Sequence, residues 1–355
     1  MFAKALKLAA MLAVGAITLT ACTPPMPPEV AAALAEQSYV CKSGDVKIAS
    51  PSAMSEDLPT ITDSMTSNCS AMTGTSVDAG APAQIYIDAT APAASVCTPS
   101  YTAPYALDAA VISATLADAA GLTLSPKTVA GIFDGSIKTW DDPAINADNA
   151  GQAIASGPIT VLPITDANAL KAFSAWYKHL TGKAFAAPII KAKKGLSVAD
   201  LGTLAEGTVA LLPYSTFTAY SVYAEVIPLA ANIVVSPKAP EGVMADSSGI
   251  GSAGTQLKLT KTNSGIKVAM DYSAKPIAPL GSDVAPDPYG AIFPVNLSLC
   301  GKPTLVERAV ARYMLRQDSQ GSLTTFVPLP EVLRGETLLG VSKGLPTPKP
   351  KPAKQ

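Results

Sequence analysis

Few side chains in this sequence have the type and spacing that catalytic chemistry requires. The 355 residues contain one histidine, His179, beside Lys178 near the end of an amphipathic segment, where the helix dipole favours a cation. One histidine excludes the usual histidine-rich zinc sites and makes a Ser-His-Asp triad improbable. Asp134 and the pair Asp141 and Asp142 occupy helix ends and turns, where aspartate acts as a cap. We therefore expect a protein that is not an enzyme.

A glycine-rich hexapeptide, GIGSAG at residues 249–254, matches the GxGxxG fingerprint of dinucleotide-binding loops. That fingerprint binds a dinucleotide when it lies between a buried strand and a helix. The sequence has neither an apolar strand before the hexapeptide nor a helical pattern after it. We interpret the segment as a flexible loop and expect no cofactor.

The N-terminus has the composition of an export signal. Lys4 and Lys7 precede an apolar run over residues 8–19, which is too short for a permanent membrane span and typical of a signal peptide. The run ends in Leu-Thr-Ala-Cys, the form of a lipobox, so we expect cleavage after residue 21 and lipidation of Cys22. Several acyl chains on one residue give durable anchoring on the extracytoplasmic side of a membrane, in the periplasm or at the cell surface. The alternative is an ordinary signal peptide followed by a chance cysteine.

Four cysteines remain in the body of the exported chain, where disulfide bonds persist. Cys41, Cys69, Cys97 and Cys300 allow three pairings. We favour Cys41 with Cys69 and Cys97 with Cys300, and the second pair requires the early and late parts of the chain to share one lobe. The alternative is that some of these thiols are free and buried.

Composition predicts a large folded body between two extended ends. Hydrophobic residues make up 48% of the chain and charged residues 15%, a balance that favours a packed globule over disorder. The net charge of −1 offers no basic surface for nucleic acid. Residues 22–37 are rich in proline and alanine and are expected to form a lipid-anchored linker. Residues 344–355 alternate proline with lysine and are expected to form a disordered tail.

Segments typical of strands and of helices alternate along the body, which predicts α/β lobes with mixed sheets. Short apolar or β-branched runs predict strands at residues 47–50, 84–89, 109–116, 159–164, 208–213 and 292–299. Caps and apolar stripes predict helices that begin near Ser125, Asp166, Ser197 and Leu305, and the first two are expected to end at Gly135 and Gly182. The stretch 236–273, rich in Gly, Ser and Lys, is interpreted as loops and short helices.

The segment LSPKTVAGIFDGSIKTWDDPAI, residues 124–145, closely resembles a hallmark stretch of the substrate-binding proteins of phosphate ABC transporters. In that family a helix ending in IFxGxIxxWxDPxI precedes a strand and the anion-binding loop. Weaker similarities follow in the family's order at residues 158–166, 206–215, 289–300 and 306–341. The resemblance covers about residues 47–341.

This resemblance implies a type II periplasmic binding protein-like fold, with two α/β lobes joined by a double hinge. The ligand would lie between the lobes, held by helix N-termini that suit an anion such as phosphate, and an ABC transporter permease would be the partner. The expected division of the chain is signal peptide 1–21, linker 22–37, lobe 1 at 38–107 and 290–343, lobe 2 at 108–289, and tail 344–355.

The resemblance also implies a set of ligand residues, carried over by position. The family's first loop corresponds to Ser50 and Ser52, and its second loop to Ser70 or Thr73. Thr90 stands where the family has the aspartate of its SDAP stretch. With the residues of the next motif, the implied ligand set is Ser50, Ser52, Ser70, Thr90, Asp166 and Asn168.

The family's RxDGSGT motif corresponds to ITDANAL at residues 164–170, so Ile164 replaces the arginine while Asp166 remains. In the family the arginine supplies bidentate, charge-assisted bonds to the anion. Without it, an ionised Asp166 about 4–5 Å from the anion costs several kcal/mol at an effective dielectric of about 20. Hydroxyl hydrogen bonds of about 1 kcal/mol each do not clearly overcome that cost. Tight phosphate binding is therefore not expected, and the favoured role of Asp166 is to cap its helix.

Three functions follow from these observations. The first is an envelope lipoprotein that binds a solute, resembling the phosphate-binding component of an ABC transporter but with an altered ligand; its ligand residues must converge on one point. The second is a degenerate binding-protein scaffold with an interaction or assembly role in the envelope, in which Ile164 and Leu170 fill the cleft. The third is an envelope hydrolase, which needs a metal or a triad in the cleft.

Overall fold

The computed structural model describes residues 28–116, 121–149, 152, 154, 156–186, 204–223, 230–238, 241–279 and 281–346. Its helices are α1 Pro28–Glu36, α2 Asp57–Asn68, α3 Pro126–Asp134, α4 Pro143–Asp148, α5 Ala167–Thr181, α6 Tyr214–Tyr223, α7 Ser247–Gly254, α8 Leu305–Met314, α9 Gln317–Gln320 and α10 Glu331–Val341, with a 3₁₀ turn at Ser52–Met54. The predicted signal peptide, Cys22, the start of the helix predicted near Ser197 and most of the C-terminal tail lie outside the described residues.

Strands form the centre of the molecule. They are β1 Gly44–Ser50, β2 Met72–Asp78, β3 Ile85–Asp88, β4 Pro99–Thr115, β5 Thr123–Leu124, β6 Thr160–Val161, β7 Thr208–Pro213, β8 Ala230–Lys238, β9 Glu241–Val243, β10 Leu257–Thr262, β11 Gly265–Met270, β12 Ile292–Cys300 and β13 Val327–Pro328. All six predicted strands are present, although β6 is shorter than the pattern indicated and β4 starts ten residues earlier.

The 17-residue strand β4 belongs to two groups of strands. Its first part pairs antiparallel with β12 and completes the order β10-β11-β4-β12-β3-β1-β2, here called sheet 1. Its second part, from Ala110 onward, pairs antiparallel with β7 and β8; with β5, β6 and β9 these strands form sheet 2. The chain therefore passes from one sheet to the other at about residues 108–110.

Sheet 1 combines both strand directions. Strands β1, β2 and β3 are parallel, whereas β12 is antiparallel to β3 and to β4. The expected α/β class with mixed sheets is confirmed. Because β1 and β3 are parallel, their carboxyl ends lie at the same edge of sheet 1.

Local caps determine where α3 and α5 begin and end. The side chains of Ser125 and Asp166 accept hydrogen bonds from backbone N–H groups in the first turn of each helix, as N-cap residues do. Gly135 and Gly182 follow the last turns with φ of 79° and 70°, a left-handed conformation that glycine adopts without strain. The predicted ends of both helices are confirmed.

The stretch interpreted as loops and short helices contains strands. Strand β8 enters it, α7 covers the GIGSAG hexapeptide, and β10 and β11 form an antiparallel hairpin that joins β4 at Gly265. The flexible-loop interpretation of the hexapeptide is wrong. Asp246 caps α7, and Gly254 packs so closely that a Cβ there would lie 2.4 Å from Leu107. Tertiary packing overrides the weak helix propensity of glycine.

The expected linker is a packed helix over most of its described length. In α1, Ala32 and Ala35 are buried, and the helix packs against α10. The carbonyl oxygens of Ala35 and Glu36 accept hydrogen bonds from Arg312 and Arg316. Cations at a helix C-terminus stabilise it. The prediction of an extended linker is therefore wrong for α1.

Both favoured disulfide bonds are confirmed. Cys41 bonds to Cys69, and Cys97 bonds to Cys300 across 203 residues of sequence. The second bond joins the segment before β4 to the end of β12, so early and late parts of the chain share sheet 1.

The division into two lobes remains a prediction. The hairpin at residues 257–270 was assigned to lobe 2, and it pairs with β4 in sheet 1 through Gly265 and Thr102. Within the described ranges, the helices are too short or too polar to cross a bilayer.

Candidate functional site

Two neighbouring strands of sheet 1 end in polar residues. Strand β1 ends at Ser50, which is followed by the 3₁₀ turn that begins at Ser52. Strand β3 ends at Asp88, whose Oδ1 accepts a hydrogen bond from the backbone N–H of Thr90 at 2.8 Å. The parallel pairing of β1 with β3 brings these two ends to one edge.

The N-terminus of α5 meets the loop that follows β3. The Asn168 Nδ2 donates to the Thr90 Oγ1 at 3.0 Å, across 78 residues of sequence. Asp166 accepts from the N–H of Ala169 at 2.7 Å and caps the helix. Two residues of the implied ligand set, Thr90 and Asn168, are therefore in direct contact.

Ser70 is not part of this group. It precedes β2, and β2 runs parallel to β1 with Met72 opposite Gly44 and Asp78 opposite Ser50. Six residues of strand separate these two pairs, about 20 Å. Ser70 thus lies near the amino ends of the strands, on the side opposite Ser50. Thr73 lies near that same end and bonds Asp45.

Beside the predicted residues lies a buried carboxylate, Asp108, at the point where β4 passes between the sheets. Its side chain is 3% exposed. It accepts hydrogen bonds from the Ser215 N–H at 3.0 Å, the Ser215 hydroxyl at 2.6 Å and the Ala109 N–H at 2.8 Å. Because Ser215 lies in the first turn of α6, this carboxylate occupies the position that an anion takes at a helix N-terminus.

Burial changes the proton affinity of two carboxylates at this site. Burial raises the pKa of Asp108 to about 7, the charge of Asp166 adds to the rise, and the Ser215 hydrogen bonds oppose it. Burial also raises the pKa of Asp88, and the charge of Asp166 again contributes. Asp166 therefore acts electrostatically on both Asp88 and Asp108. We name Ser50, Ser52, Asp88, Thr90, Asp108, Asp166 and Asn168 the acidic cleft.

The acidic cleft has no arginine. The chain contains four arginines, all between residues 308 and 334. Their hydrogen bonds go to α1, α9, the chain around α10 and the end of α8; the arginines are Arg308, Arg312, Arg316 and Arg334. No guanidinium is left to form the bidentate bonds by which arginine recognises a phosphate.

Apolar packing surrounds Ile164, the residue that the resemblance aligns with an arginine. Ile164 is 8% exposed and belongs to the hydrophobic core. Leu170, two residues after Asn168, is partly buried against the same core. Ile164 and Leu170 therefore extend the core beside the cleft.

The features that a hydrolase would need do not appear in the described part of the chain. His179 is exposed and stacks on Tyr272 with ring centroids 4.5 Å apart. Among the described residues, no group of three or more His, Cys, Asp or Glu side chains could hold a metal ion.

Sequence reasoning missed Asp88 and Asp108. Asp88 ends the apolar strand segment IYID, and Asp108 lies within the apolar run YALDAAV of β4. An acidic residue within a buried run is rarely tolerated without a partner. That conflict of residue type and pattern is the signal that could have identified both.

Solved structures with this architecture bind phosphate. One is a high-affinity periplasmic phosphate-binding protein, PfluDING, with bound phosphate; it has a TM-score of 0.55, is 13% identical, and the match covers 84% of this chain and 93% of that one. Another is an ancestral soluble variant of the human phosphate-binding protein, with a TM-score of 0.50, 13% identity and the same coverage. No protein-family model and no curated protein sequence matches the chain. At this identity the likeness shows the fold alone, which is that of the type II periplasmic binding proteins.

Proposed function

We propose that this chain is a solute-binding lipoprotein of the cell envelope, related to the phosphate-binding components of ABC transporters, with an altered ligand. The observation that carries the proposal is the contact between Thr90 and Asn168. It unites the loop after β3 with the N-terminus of α5, two of the places where the resemblance implies ligand residues. A membrane permease is the partner that such a protein would serve.

Charge decides which solutes suit the acidic cleft. A small anion such as phosphate would meet Asp88, Asp108 and Asp166 without an arginine to offset them. A carboxylate about 4 Å from an anion opposes it by about 4 kcal/mol at an effective dielectric of 20. The cleft thus favours a solute that donates hydrogen bonds and carries no negative charge.

Calorimetric titration tests this ligand chemistry. Phosphate is titrated into the purified protein at low and at physiological salt, and we expect no saturable binding below millimolar concentration. Asp166→Asn keeps a helix cap and removes one charge, so it is expected to strengthen phosphate binding. Asp134→Asn, an exposed change outside the cleft, serves as the control. Sub-micromolar binding of phosphate by the unaltered protein would refute the proposal that the ligand differs from phosphate.

Lipid attachment rests on the sequence around Cys22. Only five residues separate Cys22 from the start of α1, a span of about 20 Å when extended. The folded body would therefore lie close to the membrane surface. Replacing Cys22 with serine is expected to move the protein from the membrane fraction to the soluble fraction. An unchanged distribution, with no acyl label on the unaltered protein, would rule out the anchor.

The scaffold role is a second candidate, supported by the packing of Ile164 and Leu170 against the core. In this case no solute closes the cleft. Sugars, amino acids, polyamines and anions are screened for a shift in Tm and for a change in radius of gyration by X-ray scattering. One solute that changes both would support the binding function, and a panel without effect would favour the scaffold.

A further inference from the structure

A cavity lies outside the acidic cleft and shares no residue with it. It is enclosed by α7, β10, residues 277–279 and the start of α10, with a volume of about 470 Å³. Pockets for small molecules typically span about 300–1,000 Å³ and are lined mainly by apolar groups. We name it the α7 pocket, defined by Gly251, Thr255, Leu257, Leu259, Ile277, Glu331, Val332 and Leu333.

The wall that α7 contributes is open because Gly251 has no side chain. A Cβ built there would meet only the Val327 Cγ1, at 3.9 Å. Across the pocket, Leu257 and Leu259 lie on one face of β10, with Lys258 between them on the other. The pocket is thus bounded by hydrocarbon on the strand side, and on the helix side by the bare backbone of Gly251 together with small hydroxyl side chains.

Two hydroxyls of the lining, those of Ser252 and Thr255, already have partners. The Ser252 hydroxyl donates to the Pro286 carbonyl. The Thr255 hydroxyl donates to the Ser252 carbonyl at 2.7 Å and accepts from the Ile277 N–H at 2.9 Å. A ligand in this pocket therefore gains little by offering acceptors to these hydroxyls.

Charge is also balanced at the α7 pocket. Among the described residues that line it, Glu331 is the one with a charge, and its carboxylate bonds Arg334 at 2.6 Å. A charged ligand would lose its hydration without gaining a free ionic partner. Ile277 and Val332 stand at the pocket with 61% and 50% of their surface exposed, apolar area that a ligand would cover.

We propose that the α7 pocket binds a neutral, mainly apolar small molecule, independently of the acidic cleft. The concave shape, the apolar strand side and the paired hydroxyls of Ser252 and Thr255 fit a small molecule. A protein partner would instead need a wide exposed patch. A site of this kind adds a second ligand class to the proposed solute-binding function and does not depend on it.

Fluorescence titration with N-phenyl-1-naphthylamine, a neutral aromatic probe, tests this proposal on the full chain. Saturable binding at one site is expected. Gly251→Leu fills the pocket and is expected to weaken binding at least tenfold. Gly80→Leu is the matched control, because a Cβ at Gly80 meets no atom within 4 Å and lies far from the pocket lining; its affinity is expected to equal that of the unaltered protein.

Two further measurements make each outcome decisive. Circular dichroism melting checks the fold of Gly251→Leu. If that variant is unfolded, Val332→Glu at the exposed rim takes its place and is expected to weaken binding of the probe severalfold. Sedimentation at the same concentrations detects a second copy of the chain. Absence of saturable binding, unchanged affinity in a folded Gly251→Leu protein, or a dimer that only this variant dissociates would each overturn the proposal.

Discussion

Two buried charged groups, Arg334 and Asp108, have opposite surroundings. Arg334 is 2% exposed and forms ion pairs with Glu36 of α1 and with Glu331 of its own helix. Asp108 is 3% exposed and has hydrogen bonds from neutral donors of Ser215 and Ala109, and the described residues bring no cation into contact with it. The charge of Arg334 is thus balanced by two carboxylates, whereas the described contacts of Asp108 are all with neutral groups.

The proton affinities of these groups follow from that difference. Burial by itself would lower the pKa of Arg334, but the hydrogen bonds and charges of Glu331 and Glu36 outweigh it and raise the pKa. Burial raises the pKa of Asp108 to about 7, and within the described part of the chain only hydrogen bonds from neutral donors oppose the rise. A compensated buried charge stabilises a structure only while its partners remain, whereas an uncompensated one is typical of functional sites. The comparison thus separates the packed region around α1 and α10 from the acidic cleft, which we propose as the solute site.

The largest expected effect is the loss of stability when Arg334, the buried charge with ionic partners, is replaced. Arg334→Met leaves the Glu36 carboxylate without its partner, and loss of one member of a buried ion pair costs about 3–5 kcal/mol. Arg308→Met is the control, because Arg308 is half-buried and donates to one carbonyl, that of Val341, a contact worth about 1 kcal/mol. Urea unfolding measures both. Equal losses in the two variants would remove the distinction between the regions.

The next effect concerns Asp108 and pH. A carboxyl whose pKa is raised by folding binds its proton more tightly in the folded state, so its contribution to the free energy of unfolding decreases as pH rises from about 4 to about 7. The decrease amounts to at most about 4 kcal/mol.

Asp108→Asn removes this pH dependence and leaves an isosteric neutral group. The free energy of unfolding, measured in urea from pH 4 to pH 8, is expected to fall less in Asp108→Asn than in the unaltered protein. Asp63→Asn, an exposed change on α2, is expected to keep the original slope. A slope in Asp108→Asn equal to that of the unaltered protein would show that Asp108 is not the group responsible.

Removing each disulfide bond in turn compares the contributions of the two bonds to the stability of the folded chain. The Cys97–Cys300 bond closes a loop of 203 residues and the Cys41–Cys69 bond one of 28. In the chain-entropy treatment the longer loop contributes about 2 kcal/mol more to stability. Paired serine replacements, compared by urea unfolding, are expected to show this order. The reverse order would indicate that native contacts near Cys41 dominate.

The smallest expected effect is the coupling free energy between Thr90 and Asn168 in the acidic cleft. The contact between Thr90 and Asn168 is exposed, so a double-mutant cycle with Thr90→Val and Asn168→Ala is expected to give a coupling free energy of about 0.5–1 kcal/mol. Zero coupling would mean that these two residues do not touch in solution, which would weaken the solute-binding proposal.

Much of the fold was predictable from local sequence. The motif at residues 124–145 indicated the family resemblance, and Ser125, Gly135, Asp166 and Gly182 marked two helices correctly. These features depend on neighbours a few residues away. The β10–β11 hairpin was missed because β10 alternates leucine with lysine and threonine at the sheet edge and ends in exposed residues, so its apolar signal is weak.

The site was predictable only in part because its contacts are distant in sequence. Thr90 and Asn168 came together as the resemblance implied, whereas Ser70 lies at the opposite ends of the strands. Asp108 depends on Ser215, 107 residues away. The burial that shifts its pKa arises from the packing of both sheets, which no local pattern encodes.

The central claim is that the acidic cleft contains a buried carboxylate, Asp108, that no cation of the described residues contacts. Carbon-13 NMR of the aspartate carboxyl resonances, with Asp108→Asn used for assignment, measures this directly. A resonance of Asp108 that titrates near pH 7 is the expected result. Titration below pH 4, the range of an ordinary aspartate, would contradict the claim, because it would require a cation or open water beside Asp108.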